Sequence, residues 1–308
     1  MENLKRYNRL TEYLKDKFGE RTLKICIDGG FTCPNRDGSC GVGGCIFCGE
    51  RGSGEHLKQV SIPEQVQTFL ESYRGQRANK FICYFQNYTN TYDTIEKLKI
   101  KYDSALIDSR IVGLAIATRP DCLSEKIVKL IASYKEKYYV WVELGLQTAD
   151  DETAKFINRG YNSNEFTKAV GLLNKYNIDV VAHIMVGLPG EDSTSVSKTV
   201  NFINRHHIQG LKIHSTYVID GTELNRLYKD GKYTPISYEE YMKNLVYILT
   251  HVSPEIVIHR ISGDAPKDML IAPEWNLHKK LVMNNLDKIL KEQDLYQGIY
   301  YTKKSEDF

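Results

Sequence analysis

The chain has 308 residues, of which 42% are hydrophobic and 26% are charged, and its formal net charge is +2 at pH 7. This length suffices for an α/β domain with a sizeable core, and the charge lacks the strong basic excess typical of nucleic-acid-binding proteins. No run reaches the roughly 20 apolar residues of a membrane span, and no apolar signal segment follows Met1, so we expect a cytoplasmic protein without a membrane anchor.

Short apolar runs alternate with amphipathic segments along most of the chain. The predicted strands are Leu23–Asp28, Phe81–Phe85, Ile111–Ala117, Tyr139–Leu146, Val180–Val186, Gly210–His214 and Glu255–Ile261. The predicted helices are Ile62–Tyr73, Thr91–Lys101, Ser124–Tyr134, Asn164–Tyr176, Ser193–Asn204, Ser237–Thr250 and Leu277–Lys291. Ser61 and Ser124 stand at expected N-caps, and Glu64 completes a capping box with Ser61. Near-continuous apolar strands between helices predict a parallel sheet covered by helices.

Four of the seven cysteines lie in one glycine-rich stretch after the first predicted strand, namely Cys33, Cys40, Cys45 and Cys48. An odd number of cysteines without a secretory signal indicates metal binding rather than disulfides. Three thiolates can hold a [4Fe-4S] cluster and leave one iron open, whereas most such clusters use four cysteines. Zinc held by all four cysteines is the alternative, although zinc sites usually pair two CxxC or HxxxH knuckles. Only Cys45 and Cys48 form such a knuckle, and His56 has no partner nearby in the sequence.

Polar residues collect at the ends of the predicted strands, where ligands bind in parallel α/β folds. They are Gln86, Asn87, Thr118, Arg119, Glu143, Gln147, Gly187, Glu191, Lys212 and His214. Glu143 lies in the otherwise apolar run 141–146, so we expect a buried carboxylate that needs a partner and favour a functional role. Thr118 and Asn87 have an alternative role as caps of helices or turns.

Eight motifs follow one another in a characteristic order: Gly30–Gly38, Gly44–Cys48, Tyr84–Tyr92, Ala117–Asp121, Glu143–Thr148, Asn158–Gly160, His183–Glu191 and Leu211–His214. Together they resemble the radical S-adenosylmethionine (radical SAM) superfamily, and within it the bacterial branch related to the catalytic subunit of the elongator complex. The resemblance covers about residues 20–262. It implies an α/β fold, a partial (β/α)6 TIM-like barrel over residues 1–262 with a cluster loop at about 29–56. A C-terminal helical extension, 263–308, is expected to pack on the barrel.

The resemblance implies that Cys33, Cys45 and Cys48 bind a [4Fe-4S] cluster whose open iron chelates S-adenosylmethionine (SAM). Reductive cleavage of SAM would then yield a 5′-deoxyadenosyl radical. Eleven residues separate Cys33 from Cys45 and two separate Cys45 from Cys48, whereas the commonest spacing in the superfamily is three and two. Phe47 before the last cysteine fits the pattern. Cys40 also has a plausible spacing to Cys45, and we expect it to be a spare.

The resemblance also implies which side chains contact SAM. An amide pair, Gln86 and Asn87, stands where the superfamily places groups that hold the methionyl amino end, often a carboxylate. The candidates for the ribose and carboxylate are Thr118, Glu143 and Arg159, those flanking the adenine are Met185 and Gly187, and those for contact with substrate or SAM are Lys212 and His214.

The elongator-like branch implies a tRNA substrate. The expected reaction remodels the C5 substituent of a wobble uridine, such as carboxymethylaminomethyl to aminomethyl, starting with hydrogen abstraction from a carbon next to the substituent nitrogen. An electron donor such as flavodoxin or ferredoxin is a further expected partner. Two alternatives stay open: a radical SAM enzyme on a small metabolite, like the porphyrinogen oxidases, and a non-catalytic metal-binding RNA module.

Elongator-like proteins carry an acetyltransferase domain after the radical domain. This sequence ends about 50 residues after its last barrel-like strand, so an acetyl-CoA-dependent route within the polypeptide is not expected. The lysines of the segment 271–308, among them Lys303 and Lys304, are interpreted as the solvated face of a helix, with contact to an RNA backbone as the alternative.

Overall fold

A computed structural model describes residues 5–52, 54–55 and 57–302. The helices are α1 Leu10–Phe18, α2 Ile62–Glu71, α3 Ile95–Asp103, α4 Glu125–Ser133, α5 Asp151–Phe156, α6 Ser163–Lys175, α7 Ser195–Ile203, α8 Glu223–Lys229, α9 Tyr238–His251 and α10 Lys279–Glu292. The strands are β1 Thr22–Ile27, β2 Lys80–Phe85, β3 Ile111–Thr118, β4 Tyr139–Gln147, β5 Asp179–Val186, β6 Gly210–Ser215, β7 Val218–Ile219, β8 Val257–Arg260 and β9 Leu270–Ala272. The sequence expectations for Met1, His56, Lys303 and Lys304 concern positions outside the described residues.

Seven strands form one sheet in the order β1-β2-β3-β4-β5-β6-β8, and all its neighbouring strands run parallel. Within the described chain β1 and β8 are not paired, so the curled sheet stays an open barrel. The predicted partial barrel with helices around it is therefore confirmed. The seventh predicted strand joins the same sheet beside β6.

Local capping follows the sequence. The Ser61 hydroxyl accepts the N–H of Glu64 at 3.4 Å, and the Ser124 hydroxyl accepts the N–H of Ile127 at 3.4 Å, so both predicted N-caps begin their helices. The sequence patterns did not reveal α1, α5 or the antiparallel pair of β7 and β9. Helix α5 has six residues and β7 only two, so their periodicity is too weak to read.

Two apolar clusters lie on opposite faces of the sheet, because successive strand side chains alternate. The larger cluster joins the convex face to the surrounding helices. The smaller one fills the concave face near the beginnings of the strands, where Leu10 and Leu14 of α1 pack with Trp141 and Val181. Helix α1 therefore plugs one end of the barrel and leaves open space toward the strand ends.

The N-terminal segment is held beside β8 by the last part of the chain. The Gln297 side chain accepts the N–H of Asn8 at 2.9 Å and donates to the carbonyls of Ser253 and Ile256, both at 2.8 Å. The N–H of Ile258 in turn donates to the carbonyl of Asn8 at 2.7 Å. The two ends of the described chain thus close the plugged end of the barrel together. Among the described residues, none of the helices has the length and apolar character that crossing a bilayer requires.

Candidate active site

A cavity of about 580 Å³ lies between the concave face of the sheet and the cysteine loop. Its wall on the loop side includes Cys33, Cys45 and Cys48. Its deep wall consists of side chains from the middle of the strands, namely Lys24, Tyr84, Glu143, His183, Lys212 and Arg260. The cavity therefore joins the predicted cluster ligands to a polar barrel interior.

The three predicted cluster ligands face this cavity, whereas Cys40 is exposed and does not line it. Burial raises the pKa of the free Cys45 thiol to about 12, and it also raises that of Cys48, where Arg36 opposes the effect. Bound metal deprotonates such thiols. Among the described His, Cys, Asp and Glu side chains, no three converge closely enough to hold a single metal ion. The three cysteines on one wall of the cavity are the number of thiolates that a cluster with one open iron requires.

A turn after α5 fixes the cluster loop on one side. The Asn158 side chain donates to the carbonyls of Val42 and Gly44 at 3.2 and 2.8 Å, and the Asn35 side chain donates to the Asn158 carbonyl at 2.6 Å. Asn158 has a positive φ of 53°, a conformation that asparagine tolerates better than most residues. A side chain at Gly160 would collide with Asn35, since its Cβ would lie 2.8 Å from Oδ1.

The segments β7, α8 and β9 hold the other side of the cluster loop. Ile46 and Phe47 pack on an apolar cluster that contains Val218, Leu224 and Ala272. The N–H of Leu224 also donates to the Ile46 carbonyl at 2.8 Å. The cluster loop is thus clamped between the barrel and the small antiparallel sheet.

Some predicted SAM contacts line the cavity: Gln86, Thr118, Glu143, Lys212 and His214. The Thr118 hydroxyl forms a hydrogen bond of 2.6 Å with the Thr91 hydroxyl. This bond gives the buried hydroxyl a partner without the cap role that the sequence left open for Thr118. Asn87 is 1% exposed, and neither atom of its amide has a hydrogen-bond partner within the described chain.

Four predicted contacts do not line the cavity: Asn87, Arg159, Met185 and Gly187. The buried Arg159 guanidinium donates to the carbonyls of Leu146, Thr148 and Tyr161, so the packing of the 158–160 turn occupies it. Gly187 has a φ of +84°, and its N–H donates to Glu191 at 3.0 Å. The roles of these four residues in SAM binding stay predictions.

Glu143 is fully buried at the deep end of the cavity. Its carboxylate accepts the indole N–H of Trp141 at 2.9 Å, contacts His183 Nε2 at 2.7 Å and forms an ion pair with Lys212. Burial alone would raise the pKa of Glu143, but Lys212 and His183 outweigh it and hold that pKa well below its usual range. The carboxylate is therefore ionised and anchors Lys212, which also donates to the Tyr84 hydroxyl at 2.9 Å.

The sequence reasoning missed several side chains that line the deep wall. Lys24, His183 and Arg260 belong to it, and each lies in a predicted strand. Lys24 interrupts the apolar run of β1 in the same way as Glu143 interrupts that of β4. The criterion applied to Glu143, a charge within an apolar strand, would have found it.

Comparison with known proteins shows which family models match the chain. Residues 33–203 match the radical SAM superfamily, and residues 208–292 match the radical SAM C-terminal domain. Over 306 residues the chain is 37% identical to YtqA, an uncharacterized protein of Bacillus subtilis strain 168, an alignment that covers 98% of this chain and 95% of YtqA. The division of domains at residue 262 is not tested by these matches and stays a prediction.

Two further similarities concern proteins whose names refer to tRNA or to Elp3. The chain is 35% identical over 161 residues to the tRNA uridine(34) acetyltransferase of Dehalococcoides mccartyi, covering 51% of this chain and 34% of that enzyme. The structure of an N-terminally truncated Elp3 from Methanocaldococcus infernus matches with a TM-score of 0.69 at 21% identity, over 90% of this chain and 64% of the Elp3 chain. At that identity the structural likeness shows the fold.

Proposed function

The chain belongs to the radical SAM superfamily, and from this premise we propose that it remodels the C5 substituent of the wobble uridine in tRNA. Enzymes of the superfamily use a [4Fe-4S] cluster and SAM. When bound, these cofactors supply a carbon-centred radical that abstracts a hydrogen atom from the substrate. In this proposal Cys33, Cys45 and Cys48 hold the cluster.

The observation that carries the proposal is the shared cavity, in which the three cysteines and the Glu143–Lys212 pair face one space of about 580 Å³. A recessed cavity limits contact with water and the reactions of a radical with other groups. The tRNA substrate is supported by the partial similarity to a tRNA uridine(34) acetyltransferase. The sequence also resembles MnmL, a Gram-positive protein linked to wobble-uridine modification.

The proposed reaction converts carboxymethylaminomethyluridine to aminomethyluridine. The bond between the side-chain nitrogen and the carboxymethyl carbon breaks, water supplies an oxygen to that carbon, and glyoxylate leaves. The two electrons released by the substrate would be accounted for by the bound cofactor, with methionine and 5′-deoxyadenosine as the co-products, and one proton would be released. The overall reaction therefore requires no oxidant besides SAM. An electron donor such as flavodoxin or ferredoxin is the second proposed partner, and the cytoplasm is the proposed location.

Mass spectrometry of tRNA nucleosides from cells with and without the gene tests this function. We expect carboxymethylaminomethyluridine to accumulate in the deletion strain and to disappear when the intact gene is restored. A gene encoding Cys45→Ala should fail to restore the product, because the cluster loses a ligand. A nucleoside profile that is identical in both strains would contradict the tRNA substrate and direct the search to small metabolites.

A further inference from the structure

The cavity wall on the side of the strands has more basic than acidic side chains. Lys24, Lys212 and Arg260 of the strands line the cavity together with Lys279 of α10, and the carboxylates beside them are Glu143 and the more exposed Asp264. We call these four basic residues the cationic floor. Two imidazoles nearby do not add charge at neutral pH, because burial lowers the pKa of His183 to about 4 and that of His214 well below its usual value.

Both carboxylates already have basic partners. Glu143 pairs with Lys212, while Asp264 lies 3.0 Å from Arg260 Nη2 and 3.0 Å from Lys279 Nζ. Lys24 has no ion pair or hydrogen bond through its amine among the described residues. The amine lies 4.9 Å from the centre of the Tyr84 ring, and burial lowers its pKa although Glu143 opposes the effect.

Lys24 is partly buried, and a cation that is held away from water without an ion-pair partner is unfavourable, so that a bound anion would lower this cost. The buried Nε2 of His214 also lacks a hydrogen-bond partner in the described part of the chain. The unpaired amine of Lys24 points to a negatively charged group in the cavity, and the unsatisfied imidazole atom of His214 points to a polar partner there.

The position of the cationic floor separates it from the predicted cluster. Lys24 aligns with Ile82 in the middle of β1, and Lys212 lies opposite both His183 and Arg260 in the sheet register. The cysteines follow the end of β1, and Lys24 lies three residues before that end, about 10 Å deeper along the strand. We infer that a cofactor on the cluster occupies mainly the loop side, so that Lys24, at the greater depth, is open to the substrate.

We propose that the cationic floor binds a carboxylate at the end of the substrate's C5 side chain, and that the enzyme thereby selects carboxymethylaminomethyluridine. This inference rests on the proposed function and specifies its substrate. The product bears an aminomethyl group, which is cationic when protonated. The floor repels that group, so the same residues favour the substrate and promote release of the product.

The test measures how well the holoenzyme, with reconstituted cluster and SAM, binds two synthetic anticodon stem-loops. One carries carboxymethylaminomethyluridine and the other its uncharged methyl ester. We expect the wild type to bind the acid about 10- to 100-fold more tightly, as for hydrogen bonds to charged groups. The ratio should fall to near unity in Lys24→Met and recover in Lys24→Arg. The exposed Lys15 on α1 provides the matched control, Lys15→Met, which should keep the wild-type ratio.

The outcomes separate this inference from the proposed function. Equal binding of acid and ester by the wild type would overturn the carboxylate site, and this comparison does not depend on whether a variant folds. An unchanged ratio in folded Lys24→Met would also overturn it. Weaker SAM binding by Lys24→Met, with an unchanged acid-to-ester ratio, would assign the floor to the cofactor instead. Failure of the proposed function appears elsewhere, as unchanged tRNA nucleosides in the deletion strain.

Discussion

At the scale of single residues, Glu143 determines the charge state of the cavity. Its carboxylate receives three partners, Trp141, His183 and Lys212. Lys212 is only 2% exposed, so its ammonium has little access to water and depends on Glu143 for compensation. Breaking a buried ion pair from one side is more costly than removing both charges together.

Glu143→Gln should therefore lower the free energy of unfolding by about 3 kcal/mol, because it leaves the Lys212 ammonium buried and unpaired. Urea unfolding at pH 7 measures this loss. The double variant Glu143→Gln/Lys212→Met should lose less than the sum of the two single variants. A double variant whose loss equals that sum would contradict the coupling. Calorimetry of SAM binding by Glu143→Gln tests the separate prediction that Glu143 contacts SAM.

The sequence predicted that Glu143 is buried and paired, because a carboxylate in an apolar strand needs a partner. It could not identify the partners, since His183 and Lys212 lie 40 and 69 residues further along the chain. Their meeting depends on the order and register of three parallel strands. For the same reason Lys24 was not recognised as a neighbour of this pair.

At the scale of elements, the turn after α5 stabilises the cluster loop. Asn158→Asp removes both hydrogen bonds that the side chain donates to the carbonyls of Val42 and Gly44. Aspartate keeps the size and tolerates the same positive φ, so the change affects mainly the donors. Two such bonds contribute about 2 kcal/mol. We expect faster loss of iron, measured as iron per chain after desalting.

Cys40→Ala is the control for that experiment. Cys40 is exposed and does not line the cavity, so the variant should retain iron as the wild type does. Loss of iron in Cys40→Ala would show that the spare cysteine is a ligand after all. Retention of wild-type iron stability by Asn158→Asp would show that the turn does not hold the loop.

The turn at the end of β5 carries a pH-sensitive carboxylate. Burial raises the pKa of Glu191 to about 7. The N–H groups of Leu188 and Gly187 donate hydrogen bonds to the carboxylate and lower the pKa, but burial outweighs them. The folded protein therefore binds the proton more tightly than the unfolded chain. The protonated Glu191 side chain therefore stabilises the folded protein fully below about pH 4.5. This stabilisation, at most about 3 kcal/mol, is lost as the pH rises through about 7.

Glu191→Gln stays neutral over that window. Relative to the wild type, the variant should therefore be more stable at pH 8 than at pH 5, as measured by urea unfolding at both values. The exposed Glu152 of α5 provides a surface control, and Glu152→Gln is measured at the same two pH values. The same stability difference for Glu191→Gln at both pH values would contradict an elevated pKa.

At the scale of the whole molecule, Gln297 connects the N-terminal segment with the loop before β8 through three hydrogen bonds. Gln297 is 5% exposed, so its removal leaves buried backbone groups unpaired. Gln297→Ala should lower the free energy of unfolding by about 2 to 4 kcal/mol. The exposed Gln293→Ala provides the control in the same urea experiment. Equal stability of the two variants would contradict this role of Gln297.

The overall architecture was predictable because strand and helix periodicities are local, and each predicted strand of the main sheet is present. Helix α1 was not predictable in this way. Its stability comes from Leu10 and Leu14 packing into the barrel against Trp141 and Val181, which are remote in sequence. The small sheet of β7 and β9 likewise depends on a pairing between segments about 50 residues apart.

The plug at the closed end of the barrel sets an order of assembly during synthesis. Asn8 and its partner Gln297 are 289 residues apart, so a ribosome needs about 15 to 60 s to make the second after the first. During that time the hydrogen bonds of Gln297 cannot form, although Trp141 and Val181, which pack with α1, are already made. The apolar contacts of α1 can therefore form before the hydrogen bonds that hold the N-terminal segment beside β8.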